Sequence, residues 1–270
     1  EGGIDILRSS YATVENNTCE ENEIVGLSIR NTHPKKASKN RCINNKYGLE
    51  CIFVYGIISD NYCSNNEMGG ISIHASSYSE VINNTCKENG YGIYNIESFH
   101  LKILNNTCEK NDYGIFFTAG SWYNTISNNT VVNNNLDGIY LERSKDCLIT
   151  YNILEENKGH GVYLEGRTNL TLVAYNSFIN NNPGGSSQGY DAGFDNIWYD
   201  KKTKKGNYWS DWTGNGSYTI DGRAEVEDRY PLDENLERTN IVSPYWAFMS
   251  LIILPVIVIP VLLLYKKRKI

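Results

Sequence analysis

The stretch NNTCKENGYGIYNI at residues 83–96 decides the fold, because the chain keeps returning to it. Its second Asn recurs at Asn17, Asn40, Asn61, Asn84, Asn106, Asn129, Asn152 and Asn176, at intervals of 21 to 24 residues. A Gly followed by Ile, Leu or Val keeps the same period at Gly3, Gly26, Gly48, Gly70, Gly92, Gly114, Gly138 and Gly161. Two independent markers in phase define a repeat architecture. Between them lie short alternating apolar strings and turn formers, with no sustained helical spacing, so each unit is expected to hold short strands. Three strands and three turns per unit make one rung of a parallel β-helix, stacked on the next at about 4.8 Å. Alternation then sends Ile4, Leu27, Leu49, Ile71, Ile93, Ile115, Ile139 and Val162 into one inward column. Asn17 and its counterparts are expected to form an outer-turn amide ladder from rung to rung, Asn being chosen for its tolerance of left-handed backbone.

The chain has 270 residues and a net charge of -6, with no basic face carrying interleaved aromatics, which argues against nucleic-acid binding. A solenoid lengthens without enlarging its core, so most of the chain can be one domain. The 20 Tyr suit pleated faces and the many Asn suit turns. The first residues, EGGIDILRSS, already match the middle of a rung, so upstream rungs or a cap are expected to be missing.

The repeats NNTCEENEIVGLSI, NNTCKENGYGIYNI and NNTVVNNNLDGIYL, with the closing phrases GNYWSDW and DRYPLD, resemble NosD-like right-handed β-helix proteins. These are a branch of the carbohydrate-binding and sugar-hydrolase β-helix group. The resemblance covers roughly residues 1–235 and implies an all-β, right-handed parallel β-helix. The group spans polysaccharide lyases, epimerases, surface proteins and a periplasmic accessory protein for copper-site assembly, so it implies fold more than function.

The organisation expected is a β-helix over 1–200, a closing segment over 201–235, a polar stalk over 236–244, a transmembrane helix over 245–265 and a basic tail over 266–270. Residues 245–265 carry no charge, are flanked by Tyr245, Trp246 and Tyr265, and precede Lys266, Lys267, Arg268 and Lys269. That pattern predicts a single span with a cytoplasmic C-terminus and an external β-helix. The sequons at Asn16, Asn83, Asn105, Asn128, Asn169 and Asn215 agree, although four of them follow from the repeat itself.

Cys19, Cys42, Cys63, Cys86 and Cys108 share one rung position, later taken by Val131, Leu154 and Phe178. Apolar replacement points the position inward. Buried thiols, disulfides between neighbours and a soft-metal ladder all remain open for it. Cys51 and Cys147 lie on other strands as isolated core residues. His33, His74, His100 and His160 do not share a rung position, so no metal centre is assigned; Ca²⁺ or copper is conceivable without a defined ligand set.

Two residues after each marker Gly the chain places Ser28, Glu50, Ser72, Tyr94, Phe116, Tyr140 and Tyr163, so the last four rungs present an outward aromatic strip. Sugars stack on such rings, and Glu142 and Glu165 beside them supply hydrogen-bonding carboxylates. The competing explanation is a ladder that only stabilises the sheet. The same two Glu are candidates for acid and nucleophile of a retaining glycosidase, although no catalytic signature accompanies them. After Phe178 the period breaks at NNNPGGSSQGYDAG, residues 180–193, a loop inserted in the last rung. Beyond it Trp198, Trp209 and Trp212 are expected to fold over the final rung, and the altered run TGNGSYTIDGRAEVE weakens any calcium role for Asp211, Asp221 and Asp228.

The function expected is a membrane-anchored, externally displayed, non-catalytic binder of polysaccharide or cell-envelope glycan. The alternatives are a polysaccharide-processing enzyme and a copper-site accessory protein.

Overall fold

The computed structural model describes residues 2–33 and 36–235. Three parallel sheets of nine, eight and nine strands run the length of this unit, making a solenoid of about eight turns, with one small antiparallel hairpin at its end. Tyr91–Ile96, Lys102–Leu104 and Thr107–Glu109 show the plan of one rung: one strand for each sheet, with a turn after each. Every strand of these sheets pairs with its counterpart one rung away. Among the described residues there is no helix long and apolar enough to cross a membrane. The expected stalk, span and basic tail lie outside the described residues.

The core is the inward column anticipated from the period. Leu27 pairs with Leu49, Leu49 with Ile71, Ile71 with Ile93, and so on to Val162, all without solvent exposure. Each such burial contributes about 1.5–3 kcal/mol. The cysteine column is in register as well: Cys19 meets Cys42, Cys42 meets Cys63, Cys63 meets Cys86 and Cys86 meets Cys108, followed by Val131, Leu154 and Phe178. All seven cysteines are buried free thiols.

The amide ladder exists, but on the other side of the backbone from the one expected. Asn40, Asn61, Asn84, Asn106, Asn129, Asn152 and Asn176 are buried and point inward. Asn84 offers its backbone N–H and its side-chain N–H to Oδ1 of Asn106 at 2.9 and 3.0 Å. Asn106 in turn donates to Oδ1 of Asn129 and to the Val81 carbonyl. The left-handed conformation belongs to the preceding residue, Asn83, Asn105 or Asn128, with φ of +57°, +56° and +58°. In the NNT phrase, then, the first Asn serves the backbone and the second serves the interior.

A second ladder runs five residues further on, through Asn22, Asn45, Asn66, Asn89, Asn111, Asn134, Asn157 and Asn181. It explains the marker glycines. A Cβ on Gly92 would stand 2.5 Å from the Gly114 carbonyl and 2.9 Å from the Asn111 amide. The close approach that builds the ladder leaves room only for hydrogen.

The inserted loop rejoins the first sheet about five residues before the marker spacing suggested, with Gln188 opposite Gly161. Gly189, not Gly193, pairs with Val162, and Gln188 takes the ladder place, accepting from Asn181 N–H at 2.9 Å. Trp198 fills the space that Gly189 leaves, its ring atoms lying 2.8 and 2.9 Å from where a Cβ would be. Trp209 pairs with Phe178 and is sandwiched between Phe178 and Tyr218, each at 4.0 Å. The former cysteine column thus widens to Phe178, Trp209 and Tyr218, which closes the end of the core.

Two buried carboxylates anchor this closure. Asp191 accepts from Trp198 Nε1 at 2.9 Å, and Asp228 accepts from Trp209 Nε1 at 3.0 Å and Asn207 N–H at 2.7 Å. Burial raises both carboxyls above the usual Asp range, outweighing the donors that lower them. A raised folded value means that the folded chain holds the proton to higher pH than the unfolded chain. The resulting stabilisation is complete below about pH 3.9 and is lost as pH rises through the folded values. Melting of this end, followed by tryptophan fluorescence, should accordingly fall as pH rises from about 4, and Asp228→Asn should flatten the fall.

Candidate functional site

The outer face of the first sheet brings the expected strip together. Tyr94 pairs with Phe116, Phe116 with Tyr140 and Tyr140 with Tyr163, and Tyr190 extends the column by one more rung. Tyr190 escaped the sequence because the inserted loop displaced it from the period. Ser28 and Ser72, in the same column, are covered and buried.

Ring orientation changes how the strip presents itself. Phe116 and Tyr140 stack at 4.8 Å with planes parallel, Tyr140 and Tyr163 at 4.8 Å and 9°, and Tyr163 and Tyr190 at 4.3 Å and 11°. Each interior ring therefore has both faces occupied by its neighbours. What the half-buried column offers outward is ring edges and hydroxyl groups. Burial, followed by the neighbouring Tyr190, pushes the Tyr163 phenol up to about 12; Tyr140 is raised by burial and then by Tyr163, Glu165, Tyr113 and Glu142. At neutral pH both are O–H donors.

The two expected carboxylates flank Tyr140. Glu142 accepts from the Thr118 hydroxyl and lies 3.5 Å from Arg143 Nε, while Glu165 accepts from the Arg167 N–H at 3.0 Å. On the other side of the column Tyr91 and Tyr113 stack at 5.7 Å. Next along that side come Asp137 and His160. Asp137 Oδ1 accepts the His160 N–H at 2.7 Å and faces its Nδ1 at 3.4 Å. The Asn182 amide lies 3.2 Å from His160 Nε2, and the imidazole ring meets Tyr163 at 5.7 Å and Tyr190 at 5.3 Å. Matched histidines do not reveal this pair, because its signal is two unlike residues, each just before a marker Gly, Gly138 and Gly161, on adjacent rungs.

Comparison with known proteins bears on the fold. The family described as NosD, periplasmic copper-binding protein, matches residues 54–214. No curated protein sequence matches. Among solved structures, the A-module of mannuronan C-5 epimerase AlgE6 from Azotobacter vinelandii aligns with a TM-score of 0.52 at 15% identity, over 68% of this chain and 58% of that one. The AlgE4 A-module from the same organism aligns with a TM-score of 0.44 at 13% identity, over 70% and 60%. Open reading frame 18 of Geobacillus virus E2 aligns with a TM-score of 0.40 at 13% identity, over 82% and 57%. The chain thus spans under two thirds of the length of each.

Copper fits the described residues poorly. Thiolates are its natural donors here, whereas contact with Cys108 and burial raise Cys86 well above its ordinary value and favour its thiol form. Among the described residues no group of three or more His, Cys, Asp or Glu is arranged to hold a metal ion.

Proposed function

The chain belongs to the NosD family, and from that premise we propose that the outer face of its first sheet binds a polysaccharide without transforming it. The observation that carries this reading is the row from Tyr140 to Tyr190, with carboxylates on one side and Asp137 and His160 on the other. Phenol O–H groups at rung spacing, between acceptors and a histidine, suit a linear chain of hydroxylated rings. The family's description as periplasmic supports display outside the cytoplasm. The uncharged run at 245–265 and the basic cluster after it support a membrane anchor with its C-terminus inside.

A glycan array probed with the full chain, in a detergent without a sugar headgroup, identifies the ligand. Tyr140→Ala with Tyr163→Ala should weaken its binding at least about tenfold. Unchanged affinity would remove the strip as the site.

The Asp137–His160 pair favours a second reading, polysaccharide processing. An imidazole oriented by a carboxylate beside phenols is a proton-transfer arrangement. New product from a bound glycan, abolished by His160→Gln or Glu165→Gln, would replace the binding reading with this one.

A further inference from the structure

A different edge of the solenoid, the corner where the first sheet turns into the second, carries exposed rings that the fold does not explain. Tyr78, His100 and Tyr123 hold equal places in consecutive rungs and stack at 4.9 and 5.2 Å, with planes within 15°. Beside them Phe99 and Trp122 lie 5.5 Å apart and tilted by 59°. Tyr78 is 68% exposed, Tyr123 48% and Trp122 42%. The three stacked residues have φ of +61°, +53° and +58°. That region is unfavourable for bulky side chains and suits Asn, which the chain uses at the other corner at Asn83, Asn105 and Asn128 before that column turns to Tyr151 and Tyr175, the latter tied through its hydroxyl to Asp200 of the closing segment. Large rings in strained backbone, turned toward water, return little to folding.

The surroundings narrow what covers them. Lysines bordering this corner are matched by carboxylates: Lys102 with Glu80 at 2.8 Å, Lys145 with Asp146 at 3.7 Å and Lys36 with Asp60 at 3.7 Å. Among the described residues of this corner no surplus positive charge draws a polyanion or an anionic bilayer. The ridge is only two residues wide, too narrow for the patch that a protein interface needs. Phenol, imidazole and indole N–H groups edge its apolar surfaces. His100 has both faces covered by Tyr78 and Tyr123, but the tilted Trp122 leaves aromatic surface open, unlike the interior rings of the first-sheet stack. A neutral, extended pyranose chain has this repeat: an apolar C–H face and equatorial hydroxyls over a length close to one rung.

We propose that the ridge of Tyr78, His100, Tyr123, Phe99 and Trp122 is a second glycan-binding surface, taking an uncharged β-linked polysaccharide by stacking. It is independent of the first-sheet site. The test titrates the full chain, in the same kind of detergent, with cellohexaose and with chitohexaose. Trp122→Ala combined with Tyr123→Asn should bind the better hexasaccharide at least about tenfold more weakly, with two stacking surfaces removed. Its melting temperature should hold, because Asn suits the left-handed place; Tyr78→Asn provides a second variant of the same kind. Tyr140→Ala with Tyr163→Ala should leave this binding intact.

Equal affinity in the ridge variants, or no binding of either hexasaccharide to the native chain at millimolar concentration, would overturn the proposal. Loss confined to the Tyr140 and Tyr163 variant would move the neutral ligand to the first sheet and overturn it too. Adsorption to phosphatidylcholine vesicles that depends on Trp122, without saccharide binding, would assign the ridge to a bilayer instead.

Discussion

Asn106→Ala is expected to destabilise the solenoid by about 4 kcal/mol or more, whereas Asn105→Gly, one residue away, should be close to neutral. The first substitution removes an acceptor from the Asn84 backbone and amide N–H groups, and a donor from Asn129 Oδ1 and the Val81 carbonyl. Four hydrogen bonds are lost, each worth about 0.5–1.5 kcal/mol net, and the buried Asn84 backbone N–H loses its partner at a further cost of about 1–3 kcal/mol, while Asn84 Nδ2 keeps the Ile58 and Ile82 carbonyls and Asn129 Oδ1 keeps the residue 106 backbone N–H. The second substitution replaces a residue exposed at a turn tip with φ of +56°, which Gly adopts freely. Because a solenoid is held by nearest-neighbour contacts, the loss should be local. Hydrogen exchange should accelerate in the strands around residues 81–132 before the ends of the unit open, and melting of Asn106→Ala should separate into two steps. Equal effects of the two substitutions would mean that the inward amide is not a principal support.

Asp228→Ala should be nearly as damaging, by about 3–6 kcal/mol, and at the opposite end of the argument: it uncovers the core instead of cutting it. Asp228 has no solvent exposure and accepts from Asn207 N–H, Trp209 Nε1 and Tyr230 N–H. With the carboxylate gone the Asn207 and Trp209 donors stay buried and unpaired. Trp209, held between Phe178 and Tyr218, loses the bond that orients it. Limited proteolysis should begin after residue 200 at temperatures where the native chain resists, and tryptophan fluorescence should shift red. Asp228→Asn keeps one acceptor and should fall between. Resistance equal to that of the native chain would show that stacking alone closes the end.

Much of the fold was legible because a solenoid repeats its physics. Ile71, Ile93 and Ile115 needed no contact map to be placed together; the period did it. The cysteine column was placed the same way, through its replacement by Val131, Leu154 and Phe178. What stayed hidden follows from orientation and exception. An Asn at a turn suggests left-handed backbone and an outward amide, yet Asn84 points in while Asn83 carries the turn. Asn89 and Asn111 repeat just as regularly, but they sit in polar strings where Asn is unremarkable. Tyr190 was masked by the inserted loop. The Asp137–His160 pair was missed because complementary residues, unlike identical ones, leave no repeated letter. Tyr78, His100 and Tyr123 defy backbone preference, so their alignment became visible only in space.

The chemistry proposed for the first sheet rests on one claim, that a glycan lies along the tyrosine column across several rungs. Hydroxyl-radical footprinting with and without the array-selected glycan tests it directly, residue by residue. Oxidation of Tyr140, Tyr163 and Tyr190 should drop together on binding, while that of Tyr230, on the closing segment, stays the same. Binding that leaves those three tyrosines as reactive as before would place the ligand elsewhere and contradict the account.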